Sequence, residues 1–255
     1  MKNFFLPCLG LGLLLGGPAF SDDPAPATPA WSVGAGANYS KGDYGFAADT
    51  EVFSVPVNLG YENGPWSLRL SVPWISIKGP AANTGGGGAP RPTAASESGL
   101  GDIYGSASYR FGETLGPVSV GFTGRVKLPT ADETRGLGTG ETDWYGQFDF
   151  YRTLGLSTPF VSLGYRMFGD SALYQLEDGV FASAGSHFRS SDTTVWTAAV
   201  NWGRRIIAGG DDSTDAMVAL THDLNARWQL SGYLLKGFTD ASPDHGAGLQ
   251  VNYRF

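Results

Sequence analysis

The chain has 255 residues, 42% of them hydrophobic and only 16% charged, where an average soluble domain carries about 25% charged. Aromatics at 13% against so few charges exclude a disordered chain, and a formal net charge of −7 excludes a nucleic-acid partner held by a basic surface. One cysteine excludes a disulfide framework and any Cys-rich metal site, while the 38 glycines are roughly twice the usual share.

The chain opens on an address. Lys2 precedes an apolar run from Phe4 to Gly16, too short for a membrane helix of about 20 residues. Small residues follow, with Ala19 and Ser21 suited to the −3 and −1 positions of a signal peptidase. Residues 1–21 therefore read as a secretory signal peptide, and 22–30 as a short periplasmic leader. Pro7, Gly10, Gly12 and Gly16 argue against an anchor helix, and Cys8 inside the apolar run argues against a lipoprotein. Cleavage after Ser21 removes Lys2 and Cys8, taking the net charge from −7 to −8.

Beyond residue 21 no apolar run is long enough for a membrane helix. Strict alternation takes its place. Phe53, Val55, Val57, Leu59 and Tyr61 alternate with Ser54, Asn58 and Gly60; Trp66, Leu68, Leu70, Val72 and Trp74 alternate with Ser67, Arg69 and Ser71. At the end of the chain Ala247, Leu249, Val251, Tyr253 and Phe255 alternate with Gly248, Gln250, Asn252 and Arg254. Twelve such segments are expected, at 31–39, 51–62, 66–77, 101–111, 118–128, 142–153, 159–168, 179–189, 193–206, 216–224, 228–238 and 246–255. Tight connections (Asn63 to Pro65, Gly112 to Pro117, Leu154 to Thr158, Ser190 to Asp192, Asn225 to Arg227) alternate with longer ones. That layout predicts a closed antiparallel transmembrane β-barrel of about twelve strands over residues 31–255, with periplasmic turns and external loops. Backbone polar groups in hydrocarbon must all be paired, so a sheet survives there only when closed. The apolar positions then face lipid and the polar ones the lumen. A soluble β-sandwich or lipocalin-like barrel also alternates, but with more charge on its outer face and fewer glycines.

The last strand, carrying Leu249, Val251, Tyr253 and Phe255 at every second position, resembles the signal read by bacterial outer-membrane insertion machinery. A second likeness runs from Gly99-Leu-Gly-Asp-Ile103 through Tyr109-Arg110-Phe111 and Arg125-Val-Lys-Leu-Pro-Thr130 to Gly136-Leu-Gly-Thr-Gly-Glu-Thr-Asp143. This order resembles the outer-membrane β-barrel family named for the meta-pathway of phenol degradation, whose members are described as transporters. The chain departs from that family's Pro-Thr-Gly by reading Pro129-Thr130-Ala131. The resemblance implies a barrel and a transport role, and brings no catalytic residues with it.

With the apolar face outside, the lumen candidates are Arg69, Arg110, Arg125, Lys127, Arg166, Arg205 and Arg254 against Glu62, Asp102, Asp149 and Asp223. Seven bases against four acids predict a basic lumen in an acidic protein. Rings of Arg and Lys favour anions, so the expected function is passive, selective passage of organic anions or aromatic compounds. Two other readings compete: a plugged barrel with a lateral exit, and a structural or adhesive barrel with a filled lumen. The glycine run Thr84 to Gly88 marks the 78–100 loop as a candidate plug. No enzyme is expected. Gly136-Leu-Gly-Thr-Gly140 lacks the spacing of a phosphate loop, and neither His187 nor His222 sits in the His-x-Ser pair of membrane phospholipases. No cofactor or resident metal is expected either. The acidic run Asp211-Asp212-Ser-Thr-Asp215 remains a candidate for weak calcium binding, or for bridging lipopolysaccharide through divalent ions. Expected partners are outer-membrane lipid, lipopolysaccharide, the insertion machinery and a small-molecule solute.

Overall fold

A computed structural model describes residues 29–82 and 89–255. The expected signal peptide, nearly all of the leader and the glycine run at 84–88 lie outside the described residues. Among the described residues thirteen strands form one antiparallel sheet. They are β1 (Ala30–Gly42), β2 (Thr50–Asn63), β3 (Trp66–Lys78), β4 (Glu97–Leu100), β5 (Ile103–Leu115), β6 (Val118–Leu128) and β7 (Asp143–Tyr151), then β8 (Ser157–Met167), β9 (Gly179–Ser191), β10 (Thr194–Gly203), β11 (Ser213–Asp223), β12 (Trp228–Gly237) and β13 (His245–Arg254). Each strand pairs with its neighbour in sequence except β4 and β5, which do not pair with each other, and β1 pairs with β13 over Ser32↔Arg254 to Lys41↔His245, which closes the ring.

β4 and β5 are two parts of one stave. Both pair with β3, β4 through Trp74–Ile77 and β5 through Trp66–Ser71. The wall thus has twelve staves, and each segment expected from alternation is found in place. The expected strand at 101–111 is broken at its start, because Gly101 and Asp102 leave the ladder. Gly101 N–H still donates to Pro73 O at 2.8 Å, while the Asp102 side chain turns into the barrel mouth.

The turns on one end are short because glycine lets the chain reverse in two residues. Asn63 pairs with Trp66 and Leu115 with Val118, leaving the two-residue loops Gly64-Pro65 and Gly116-Pro117. Gly64 has φ 56° and Gly116 φ 63°, the positive value that a type II′ hairpin turn requires at its first central residue. The expected tight connection at Gly112–Pro117 is therefore narrower than its sequence suggests: β5 runs on to Leu115 through irregular pairing at Gly112 and beyond. The other end carries the longer connections 43–49, 79–96, 129–142, 168–178, 204–212 and 238–244.

The alternation sorts the side chains as a membrane demands. Trp31, Leu59, Trp66, Leu68, Trp74, Phe148, Leu163, Trp196, Val218 and Leu234 point outward and are exposed. Asn38, Ser54, Asn58, Ser162, Thr197, Asn201, Thr221, Gln229 and Gln250 point inward and are buried. Aromatic contacts link neighbouring strands on the outer face, as at Trp31–Tyr61 (4.7 Å) and Trp66–Tyr109 (4.8 Å).

Candidate channel lumen and the closure of its mouth

The inner wall is not uniformly polar. Ala199, Met217, Ala219, Tyr233 and Leu235 form a buried apolar cluster, with Phe160 packed against it. Val52, Ile75 and Ile77 form another on the inner faces of β2 and β3. The expectation that apolar positions face only lipid is corrected here. The signal was present in runs such as Trp74-Ile-Ser-Ile77 and Tyr233-Leu-Leu235, where apolar residues occupy both faces.

The loop 129–142 folds inward across the mouth at the long-loop end, and several forces hold it there. Its Ala131 and Leu137 pack on Val52, Ile75 and Ile77. Ala131 N–H donates to Asp102 Oδ1 (3.0 Å), and Thr130 joins the broken stave by donating to Gly101 O (2.9 Å) and accepting from Ile103 N–H (3.0 Å). A single 3₁₀ turn, Glu133–Arg135, is capped by Asp132, which accepts from the backbone N–H groups of Thr134 and Arg135. The Thr134 hydroxyl also donates to Asp132, and this bond is foremost in holding that exposed carboxyl below the usual carboxylate range. The cap is accordingly in place at neutral pH and lost only as pH falls through that depressed value.

Lys127 is the centre of the closure. Its ammonium lies 2.5 Å from Asp143 Oδ2 and 3.6 Å from Asp102 Oδ2, and donates to the Thr139 hydroxyl on the inward loop. All four residues are buried. In low dielectric such a cluster is tolerable only when charges and hydrogen bonds are matched. The second lock is Arg91, whose guanidinium donates to the carbonyls of Gly79 (2.8 Å), Ala95 (3.2 Å), Ile77 (3.4 Å) and Arg135 (3.1 Å). Its own burial pulls its pKa down. Arg91 thereby ties the described ends of the 79–96 loop to the inward loop.

Two of the remaining long loops, 168–178 and 204–212, join this closure. Ser171 Oγ donates to Thr139 O (2.9 Å), Gly169 N–H to Asp143 Oδ1 (3.1 Å) and Glu177 N–H to Ile206 O (2.7 Å). Ala82, Ala89 and Tyr174 make an apolar knot with Leu176 and Ile207. The expected plug at 78–100 is thus only part of the closure. The segment in the mouth is 129–142.

The lumen candidates fall into groups. Arg69, Arg110 and Arg254 lie near the turn end of the barrel, their positive field acting on the Glu62 carboxylate. Arg110 donates to Gly64 O (3.1 Å), and Arg254 pairs with Asp223 at 3.5 Å. Arg69 lines a small polar cleft with Ser32, Asn58, Gln250 and Asn252. Arg166 is 1% exposed, donates to Arg204 O and sits 5.6 Å from the Phe168 ring centre. Asp149 accepts from Gln147 (2.6 Å) and from Ser162. Arg125 alternates with Lys127 on the same inward face of β6. Arg205 is a correction: it lies beyond the end of β10, pairing with Glu177 at 3.4 Å among the loops.

The acidic run does not assemble. Asp212 accepts from Arg205 N–H (2.9 Å), whereas Asp215 turns into the barrel and accepts from Asn201 (2.7 Å). Among the described residues no three metal-ligating side chains come together. His187 stacks on Phe160 (4.8 Å) and shares a hydrogen bond with Thr197 (2.8 Å). His222 meets Thr194 (2.8 Å), its direct cross-strand neighbour.

A closed sheet with an apolar exterior and a polar interior defines an integral β-barrel protein of the bacterial outer membrane. No family model matches the chain, and no curated protein matches its sequence. Solved structures share the fold. The COG4313 outer membrane channel from Pseudomonas putida F1 is similar at a TM-score of 0.71 and 13% identity, over 94% of this chain and 100% of that one. The KdgM porin in complex with disordered oligogalacturonate gives 0.53 and 9% identity, over 86% and 99%. The translocator domain of the autotransporter NalP from Neisseria meningitidis gives 0.50 and 12%, over 89% and 88%. At these identities the likeness is one of fold.

Proposed function

We propose that this barrel passes small solutes passively, favouring organic anions, and that the 129–142 loop sets its open state. The observation that carries the reading is the inward placement of Arg69, Arg110, Arg125 and Arg254 along the wall, Arg166 being held by the Arg204 carbonyl. Rings of fixed positive charge attract anions and repel cations in a narrow pore. Lys127 drops out of the selectivity set, since two carboxylates already hold it, and joins the closure instead. The fold shared with an outer membrane channel and a porin supports passage over chemistry, and the likeness to the phenol meta-pathway family keeps aromatic acids among the candidate solutes.

A filled, structural barrel is the second reading, favoured by one observation: Gln229, Asn38 and Arg166 in the wall are almost fully buried. Conductance of the refolded protein in a planar bilayer, under a salt gradient, separates the two. Anion-selective openings support the channel; silence from folded protein supports the filled barrel. Within the channel reading, replacing Arg69 and Arg125 with glutamine shifts the reversal potential toward zero. An unchanged potential removes both from the selectivity set.

Leu249, Val251 and Tyr253 lie on the outward face of β13 with Phe255 just past its end, and we assign them the insertion signal. Removing Phe255 should lower the yield of folded barrel in the membrane without hindering refolding in detergent. Equal yields in cells would refute the assignment.

A further inference from the structure

The chain has five lysines. Lys2 belongs to the expected signal, and Lys127 is buried in the mouth. The other three lie on one row of the outer surface. Lys236 on β12 pairs across the ladder with His245 on β13, His245 with Lys41 on β1, Lys41 with Glu51 on β2, and Glu51 with Lys78 on β3. All five stand within two residues of the long-loop end of their strands. Alternation turns them outward, because their neighbours Leu235, Ser40, Val52 and Ile77 are buried on the inner face.

The apolar belt begins just beneath this row. Tyr39, Phe53, Trp74 and Leu234 are exposed on the same faces, and the Phe53 and Trp74 rings touch edge-on at 6.4 Å. Elsewhere on the rim the corresponding outward positions of β6 to β10 are Leu128, Trp144, Met167, Val180 and Trp202, all apolar. The strand-borne lysines are therefore confined to one arc, at the depth where hydrocarbon gives way to headgroups, while the exposed Arg204 follows Trp202 just past the end of β10, outside that arc. Lys41 is engaged by Asp49 (2.9 Å) and Glu51 (3.8 Å), which leaves the positive surplus at the two ends of the row, on Lys78 and Lys236. A lysine above an aromatic girdle buries its stem against apolar surface and presents its ammonium to an anion.

We propose that this arc docks the phosphorylated headgroup of lipopolysaccharide in the outer leaflet. The proposal rests on the reading that the long loops are external. It also moves the lipopolysaccharide contact away from the acidic run at 211–215, whose members point apart. Phosphate is the complementary charge at that depth, and each lysine near an anionic lipid surface strengthens attachment severalfold.

The test uses the full refolded barrel in detergent, with chelator present so that no divalent ion bridges. Native mass spectrometry compares retention of bisphosphorylated lipid A with that of the same lipid stripped of both phosphates. The wild type should prefer the phosphorylated form. Lys78→Gln with Lys236→Gln, and the triple variant adding Lys41→Gln, should lose about tenfold or more of that preference. A turn-end control, Arg152→Gln with Arg189→Gln and Arg227→Gln, should keep it. Equal retention by the triple variant, or an equal loss in the control, overturns the proposal. Resistance of unboiled protein to detergent gel conditions reports folding, and Lys236→Gln alone serves if the triple variant fails that check. Orientation is read separately, by labelling Lys78→Cys and Thr153→Cys on intact cells with an impermeant maleimide. Labelling of Thr153→Cys alone would show that the orientation, rather than the phosphate contact, is at fault.

Discussion

Replacing Lys127 with methionine is expected to open the barrel. The substitution leaves Asp102 and Asp143 buried without their shared cation, a change that costs about 3–5 kcal/mol when one partner of a buried pair is removed. The chain relieves that cost most directly by letting the 129–142 loop leave the mouth, since Thr139 and the Ala131 N–H reach the cluster only when the loop is folded in. A shift of that size moves a two-state equilibrium by about two to four orders of magnitude. Single-channel recordings should therefore show longer or larger openings in Lys127→Met than in wild type. A triple variant, Asp102→Leu with Lys127→Met and Asp143→Leu, distinguishes a latch from general damage. Exchanging a whole buried ion cluster for apolar side chains is often neutral or stabilising, so the triple variant should stay as closed as the wild type. If Lys127→Met conducts no differently from wild type, the latch assignment fails.

The second large effect concerns the outer wall. Leu163 is 52% exposed in the middle of β8 and faces the centre of the hydrocarbon. Leu163→Arg should destabilise the barrel in phospholipid vesicles by about 2–4 kcal/mol, against about 0–1 kcal/mol for Leu128→Arg at the end of β6. Reversible urea unfolding followed by tryptophan fluorescence measures both. Equal costs at the two depths would mean that β8 does not cross the bilayer as its alternation implies.

Much of this architecture could be read before any coordinates. A period of two over Thr50–Asn63 or His245–Arg254 admits one register only, because a slip by one residue would turn every apolar side chain inward. Turn chemistry helped as well, with Gly64-Pro65 marking one hairpin. The broken stave was illegible for a physical reason. β4 falls inside the stretch 78–100 that reads as a loop, and what ends the ladder at Asp102 is the pull of Lys127 and the Ala131 amide, respectively 25 and 29 positions further on. The lumen charges show the same limit. Spacing along β6 puts Arg125 and Lys127 on one face, yet their environments diverge, since the carboxylates that hold Lys127 come from β7 and from the break before β5. A loop folded into its own barrel leaves no period in the sequence. Only the apolar Ala131 and Leu137, among polar neighbours, hinted that 129–142 had a surface to bury.

The break before β5 has one further consequence. Where Gly101 and Asp102 leave the ladder, the closing bonds are Gly101 N–H to Pro73 O, Ile103 N–H to Thr130 Oγ1 and Thr130 N–H to Leu128 O. A side-chain hydroxyl thus stands in for a peptide carbonyl, at a point where the wall depends on a loop for its continuity. Amide hydrogens at Ser98, Leu100 and Ile103 should exchange with heavy water through local fraying well before those of β12 and β13, whose pairing runs unbroken from Trp228 to Lys236. Unzipping of the cylinder would then begin at this notch, with Thr130 as the last hold.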